Sequence, residues 1–287
     1  MISGDRHRQY GHASPQHAGL KEARVNTLKS KDGTTIAFDE QGDGPALILV
    51  DGAMCTRSSG SKPELAKLLA QHFTVYSYDR RGRGDSADTK PYAVEHEIED
   101  IDALIDKAGG YAFLYGHSSG GCLALEAAVK LSDKVKKLAM YEVPYNDDPE
   151  AQKAWGTYIK NLTEALASNR RGDAVALFMA YVGMPAAQIE GMRHAPFWSG
   201  MEALAPTLAY DHTAIMGNDG SIPRERAARV QVPTLVMTGG SGAPFMLETA
   251  KTLSTTIPHA RLRTLEGQAH DVHPEALAPV LAEFFAA

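Results

Sequence analysis

Residues 112–121 read Ala-Phe-Leu-Tyr-Gly-His-Ser-Ser-Gly-Gly, and no other stretch constrains the fold of this chain as tightly. A short apolar run from Ala112 to Tyr115 passes directly into Gly116-His117-Ser118-Ser119-Gly120. Cys122, Leu123, Ala124, Leu125, Ala127, Ala128 and Val129 then follow at helical spacing. The pattern predicts a strand, a tight turn and a helix, with G-x-S-x-G on the turn. Strand and helix come so close at such a turn that the flanking positions need glycine, and the serine between them sits on a strained backbone with its hydroxyl exposed. The helix start aims unpaired N–H groups and a partial positive charge at the space above that hydroxyl. Ser118 is therefore the candidate nucleophile. The alternative is a glycine-rich turn whose serine merely caps the helix.

The alternation extends in both directions. Residues 25–28 and 35–39, separated by the turn Lys31-Asp32-Gly33, predict an antiparallel hairpin. Residues 46–50 are apolar without a break, as in a strand buried on both faces. A helix over 63–71, a strand over 73–78, a helix over 95–107 and, after the serine turn and its helix, a strand over 135–141 follow. From 146 to about 229 the pattern is helical and rich in alanine, methionine and aromatics, with no strand. Strands over 233–238 and 261–265 then alternate with helices over 244–254 and 274–285. Repeated strand–helix units predict an α/β fold, a mostly parallel eight-stranded sheet with helices on both faces. The expected organisation is a core of residues 24–145 and 230–287 with a helical cap insertion, 146–229, over one end of the sheet. Residues 1–23 are polar, without apolar periodicity or the apolar stretch of a secretory signal, and read as a mobile tail.

A chain of 287 residues, 44% hydrophobic and 22% charged, has the size and balance of one large α/β domain with an insertion. A formal net charge of −6 argues against nucleic acid or an anionic lipid surface as partner. No apolar run approaches the ~18 residues that cross a membrane. The expected partner is a small-molecule substrate, with no nucleic acid and no membrane, and the chain itself a monomer or homodimer. Cys55 and Cys122 are too few and too isolated for a disulfide framework or a C-x-x-C metal or redox site. No metal or cofactor is expected, and cysteine usage points to the cytoplasm.

Four motifs, in order, carry a family resemblance. They are Asp51-Gly52-Ala53 after the third strand, Asp79-Arg80-Arg81-Gly82-Arg83-Gly84-Asp85-Ser86 after the fourth, Gly116-His117-Ser118-Ser119-Gly120 after the fifth, and Gly267-Gln268-Ala269-His270 after the last. Across roughly residues 24–286 the chain resembles the α/β-hydrolase family. The resemblance implies the α/β-hydrolase fold, with His270, between the last strand and the final helix, as general base to Ser118. His273 is its one rival, and His117 is expected to point back into the fold. Two backbone N–H groups would form an oxyanion hole, one from Ser119 and one from the loop at Gly52 and Ala53, with Ala53 favoured. The arginine-rich run 79–86 lacks the Gly-Lys-Ser/Thr ending of a phosphate-binding loop, and the resemblance makes it a structural loop bracing the site.

The acid that should orient His270 departs from the commonest family pattern. Most members carry an aspartate in the loop after the seventh strand, which here reads Gly239-Gly240-Ser241-Gly242-Ala243-Pro244. Between Arg229 and Arg263 the only carboxylate is Glu248, inside the next helix. Glu142 lies instead at the carboxyl edge of the sheet, where sites in such folds gather. A minority of the family, including the zearalenone lactonases, resembles this chain in placing a glutamate there, in a Glu-Leu-Pro context close to Glu142-Val143-Pro144. Glu142 is therefore the candidate acid, expected within about 3.2 Å of one His270 ring nitrogen, with Ser118 Oγ near the other. Asp271 and Glu248 are its competitors, and capping of the first insertion helix is its bland alternative.

The insertion supplies Trp155, Tyr158, Met192, Phe197 and Trp198 as candidate substrate contacts, although most of its large side chains are expected to form its own core. An apolar underside implies a small to medium, mostly apolar substrate. The residues and the resemblance together predict a cofactor-free serine hydrolase that cleaves a carboxylic ester or lactone through an acyl-enzyme. The alternatives are a C–C bond hydrolase or lyase on the same three side chains, or a slowly hydrolysing small-molecule receptor.

Overall fold

Apolar side chains of the third strand divide strictly by parity. Ala46, Ile48 and Val50 join one buried cluster and Leu47 and Leu49 another, so both faces of the strand are covered. The computed structural model describes residues 25–287, and the predicted tail over 1–23 lies outside them. In chain order the core begins with β1 (Asn26–Lys29), β2 (Thr35–Gln41), β3 (Ala46–Val50), α1 (Lys62–Leu69), β4 (Thr74–Tyr78), α2 (Val94–Lys107), β5 (Ala112–His117), α3 (Ser119–Lys130) and β6 (Val135–Tyr141). The helical stretch holds α4 (Pro149–Ala167), α5 (Arg171–Tyr181), α6 (Ala186–Arg193), α7 (Trp198–Leu204), a 3-10 turn (Ala205–Thr207), a π-helical turn (Tyr210–Ile215) and α8 (Arg224–Ala227). The chain closes with β7 (Thr234–Gly239), α9 (Pro244–Thr256), β8 (Ala260–Leu265) and α10 (Pro274–Ala286).

The eight strands lie in the order β1-β2-β4-β3-β5-β6-β7-β8. The pairs β1–β2 and β2–β4 are antiparallel, and every later pair is parallel. This is the mostly parallel α/β sheet expected from the alternation. Apolar faces of α2, α3 and α9 pack in one cluster, and α1 and α10 in the other. Strand order reverses between β3 and β5, which opens a crevice beyond their carboxyl ends. Gly52 and Ala53 follow β3 and Ser118 follows β5, so both motifs emerge at that crevice. Predicted bounds of strands and helices agree to within two residues. The π-helical turn was not foreseen, because its sequence Tyr-Asp-His-Thr-Ala-Ile reads as ordinary helix.

Candidate active site

Ser118 occupies the junction between β5 and α3 with φ of 56°, in the left-handed region that costs any side chain but glycine. It holds the N-cap position of α3, yet its hydroxyl makes no capping hydrogen bond. The capping alternative is therefore not what this serine does. Close approach explains the glycines: a Cβ on Gly116 would lie 2.5 Å from Gly121 Cα, and one on Gly120 would run into the Val50 carbonyl. Of the four non-glycine residues with positive φ among the described residues, three follow adjacent strands of the sheet: Met54 after β3, Ser118 after β5 and Glu142 after β6.

Glu142 is buried at the end of β6, facing the loop after β7. Its Oε1 accepts from the Thr238 hydroxyl and the Gly239 N–H, both at 2.8 Å. Its Oε2 faces His270 Nδ1 at 3.5 Å. That gap is longer than the sequence-based expectation, because the two short bonds on Oε1 draw the carboxylate towards β7. Burial raises the Glu142 pKa, but hydrogen bonds from His270, Gly239 and Thr238 outweigh it and hold the group below the usual glutamate value. The glycine-rich loop now has a reason: a Cβ on Gly242 would come within 2.9 Å of Glu142 Oε1. Carboxylate from β6 fills the space an acid on that loop would need. Glu248 pairs instead with Lys251 on the exposed surface of α9.

His270 is half-exposed, and its ring lies 4.9 Å from that of His117, the residue before Ser118. Two groups hold its loop. The Tyr141 hydroxyl donates to the Ala269 carbonyl at 2.6 Å, and His117 Nε2 lies 3.0 Å from the His270 carbonyl. A carbonyl only accepts, so His117 carries its proton on Nε2. Burial, helped by His270 and Lys62, lowers the His117 pKa to about 3 and keeps the ring neutral. His117 thus braces the His270 backbone, a role more specific than pointing into the fold. His273 caps α10 with its backbone, while its N–H donates to Gln268 Oε1 at 2.9 Å.

Among the described residues, the backbone N–H groups of Ala53 and Ser119 donate to no other group. Gly52 passes so near the serine that a Cβ there would stand 3.0 Å from Ser118 Cβ. Beneath these groups the three arginines of the run, Arg80, Arg81 and Arg83, are fully buried. Arg80 makes two 2.6 Å bonds to Glu97 and a third to Asp211, and Arg81 is bound bidentately by Asp100 at 2.8 and 2.7 Å. Arg83 spans from Asp211 to the Gly52 carbonyl, the latter at 2.6 Å. Burial would raise the Asp211 pKa, but Arg80 and Arg83 bring it down to about 2. The sequence reading missed Asp211. Its signal was indirect, since three arginines on an enclosed loop demand carboxylate partners, and Asp211 stands alone in an apolar stretch.

The five aromatic and methionine candidates of the insertion divide. Trp155 and Tyr158 are buried in a cluster with Tyr181 and His212, and the Tyr158 hydroxyl lies 2.8 Å from His212 Nδ1, next to Asp211. Burial lowers the His212 pKa to about 4. Trp198 is enclosed by Arg193 and Glu202, Met192 packs at the edge of the same core, and Phe197 is half-exposed on the surface. The ring and hydrogen-bond partners of Trp198 belong to the insertion itself. Among the described residues no cluster of histidine, cysteine and carboxylate could hold a metal ion, and no helix is long and apolar enough to cross a membrane.

Comparison with known proteins draws these features together. The profile described as the alpha/beta hydrolase family matches residues 54–283. The crystal structure of an alpha/beta hydrolase from Sphaerobacter thermophilus is 51% identical, covers 91% of this chain and 100% of its own, and superposes with a TM-score of 0.77. Proline iminopeptidase PfmaB of Pestalotiopsis fici is 26% identical over 252 residues, 81% of this chain and 88% of its own. A putative esterase/lipase of Haemophilus influenzae is 24% identical over 216 residues, 74% of this chain and 72% of its own.

Proposed function

The chain belongs to the alpha/beta hydrolase family, and on that premise we propose that it is a serine hydrolase cleaving a carboxylic ester or lactone through an acyl-enzyme. The observation that carries this reading is the uncapped, strained Ser118, whose neighbour His117 packs its ring 4.9 Å from that of His270, a histidine whose Nδ1 faces a buried carboxylate. Glu142 fixes the tautomer of His270 with the proton on Nδ1, which leaves Nε2 free to take the proton of Ser118. Ser118 Oγ then bonds to the substrate carbonyl carbon, and the carbonyl oxygen becomes an oxyanion. N–H groups of Ala53 and Ser119, which donate to no other group among the described residues, receive that charge. His270 returns the proton to the leaving alkoxide as the C–O bond breaks, and water attacks the acyl-enzyme by the same route in reverse roles.

The insertion acts in this reading as a cap, and the Trp155–Tyr158–Tyr181 cluster beside His212 favours a small to medium, mostly apolar acyl or alcohol group. The glutamate after β6 keeps lactones among the first substrates to try. Turnover of p-nitrophenyl butyrate and of δ-valerolactone, each abolished by Ser118→Ala, is the expected result. Hydrolysis of neither, with turnover of a β-diketone instead, would reassign the reaction to C–C cleavage.

A further inference from the structure

An oxyanion hole needs two N–H groups at fixed positions, yet Ala53 lies in the loop after β3 and Ser119 begins α3. One carboxylate outside both elements joins them. Asp211, on the π-helical turn of the insertion, accepts the Ser119 hydroxyl at 2.9 Å and Arg80 at 2.6 Å on Oδ1, and Arg83 on Oδ2. The second arm of Arg83 donates to the Gly52 carbonyl, and Arg80 donates to the Asp51 carbonyl at 3.0 Å. The Gly52 carbonyl and the Ala53 N–H are two ends of one planar trans peptide and point in opposite directions. Holding the oxygen on Arg83 therefore aims the N–H away from the arginine. A charge-assisted bond to that oxygen also polarises the peptide and strengthens the N–H as a donor.

Burying such a network is costly unless every charge is matched. Here Arg80 and Arg83 are matched by Glu97 and Asp211, and all four are enclosed. Simple docking of the insertion would need no bond to the serine that follows the nucleophile, nor one to the peptide beside it. We propose that Asp211 is a positioning residue for the oxyanion hole, fixing the Ala53 N–H through Arg83 and the Ser119 N–H through the Ser119 hydroxyl. The inference rests on the acyl-transfer reading of Ser118 given above, and it makes the catalytic power of the core depend on a carboxylate of the insertion.

Diisopropyl fluorophosphate tests both readings separately. Ser118 Oγ bonds to phosphorus, the P–F bond breaks, fluoride leaves and the hydroxyl proton passes to His270. The rate constant is read per modified site by intact mass, so a folding defect lowers the number of sites and not the rate at each. Asp211→Asn, which keeps the shape and removes the anion, is expected to slow phosphorylation about 10- to 100-fold, because small misplacements of pre-aimed groups have costs of that order. Its kcat for p-nitrophenyl acetate falls in parallel, with KM within about threefold of wild type. Ser119→Ala keeps the backbone N–H but loses the bond to Asp211, and a loss of about 3- to 10-fold is expected. It decides the matter if Asp211→Asn does not fold. Variants reacting at the wild-type rate per site, or losing only KM, overturn the inference. A wild-type protein that fluorophosphate leaves unmodified overturns the acyl-transfer reading, and the inference with it.

Discussion

Where β6 and β8 end, His270 is half-exposed and reaches Glu142 across 3.5 Å. Where β3 and β4 end, Arg80, Arg83 and Asp211 are enclosed, and the bond from Arg80 to Asp211 is 2.6 Å. The two sides carry different chemical loads. A proton-transferring histidine must change charge and partners during a reaction, so a partly solvated ring on a loosely closed pair suits it. Backbone donors do the opposite work. They stabilise charge best when they need not reorganise, and an enclosed ionic lattice holds them so. Strain separates the sides less than rigidity does, since Met54, Ser118 and Glu142 are all left-handed.

The largest break in this arrangement is at its centre. Ser118→Ala removes one oxygen from an uncapped position and is expected to lower ester turnover about 10⁴–10⁶-fold with little change in melting temperature. A variant keeping a tenth of wild-type kcat would refute the nucleophile assignment. Glu142→Gln comes next. It leaves the acceptor for Thr238 but removes the anion facing His270, and a loss of about 10²–10⁴-fold in kcat is expected. Retention of wild-type kcat would return the acid to the candidates.

Much of this was legible in the chain because the signals are local. The unbroken apolar run 46–50, the Lys31-Asp32-Gly33 turn and the glycines around Ser118 report their own backbone. Glu142 could be singled out as the candidate acid by its position at a strand end together with the family resemblance, which makes the lack of an acid in 239–243 informative. What could not be read was pairing at long range. Arg80 and Asp211 are 131 residues apart, and nothing local at either end names the other. The left-handed backbone at Met54 and Glu142 was equally hidden, since neither residue type favours it and tertiary packing imposes it.

Arg81 sharpens the comparison, because it is as buried as its neighbours yet touches neither donor loop. It binds Asp100, Asp32 and the His96 carbonyl. Arg81→Met leaves Asp100 enclosed without its cation and is expected to destabilise the fold by about 3–5 kcal/mol. Per folded molecule, kcat is expected to stay within about threefold of wild type. A loss of kcat comparable to that of Asp211→Asn would mean that the whole lattice, and not its Asp211 arm, sets the donors.

Acid should loosen the fold through two buried histidines. His117 and His212 have folded pKa values lowered to about 3 and about 4, from an ordinary value of 6.5. Between those values the unfolded chain binds protons that the folded chain refuses. The stability they contribute is therefore full above pH 6.5 and is lost as pH falls towards 4. The slope is up to about 1.4 kcal/mol per pH unit for each ring. Urea midpoints between pH 7 and 4.5 measure it. His117→Gln keeps an N–H for the His270 carbonyl and is expected to flatten the slope by about half. An unchanged slope would move the effect to other groups.

The smallest effects belong to the two carboxylates that compete with Glu142 in sequence alone. Glu248 is exposed on α9 and pairs only with Lys251, an arrangement worth little in water. Asp271 adjoins His270 in sequence, but it is exposed and makes no hydrogen bond or ion pair among the described residues, while the histidine Nδ1 faces Glu142. Glu248→Gln and Asp271→Asn are each expected to leave kcat for p-nitrophenyl butyrate within about twofold of wild type, against the hundredfold or greater loss from Glu142→Gln. The informative measurement is the double substitution Glu142→Gln with Asp271→Asn. If Glu142 alone stabilises the imidazolium, the pair loses no more than Glu142→Gln does. A further tenfold loss would show Asp271 sharing the charge, and the loosely closed side of the site would then hold two acids where the geometry assigns one.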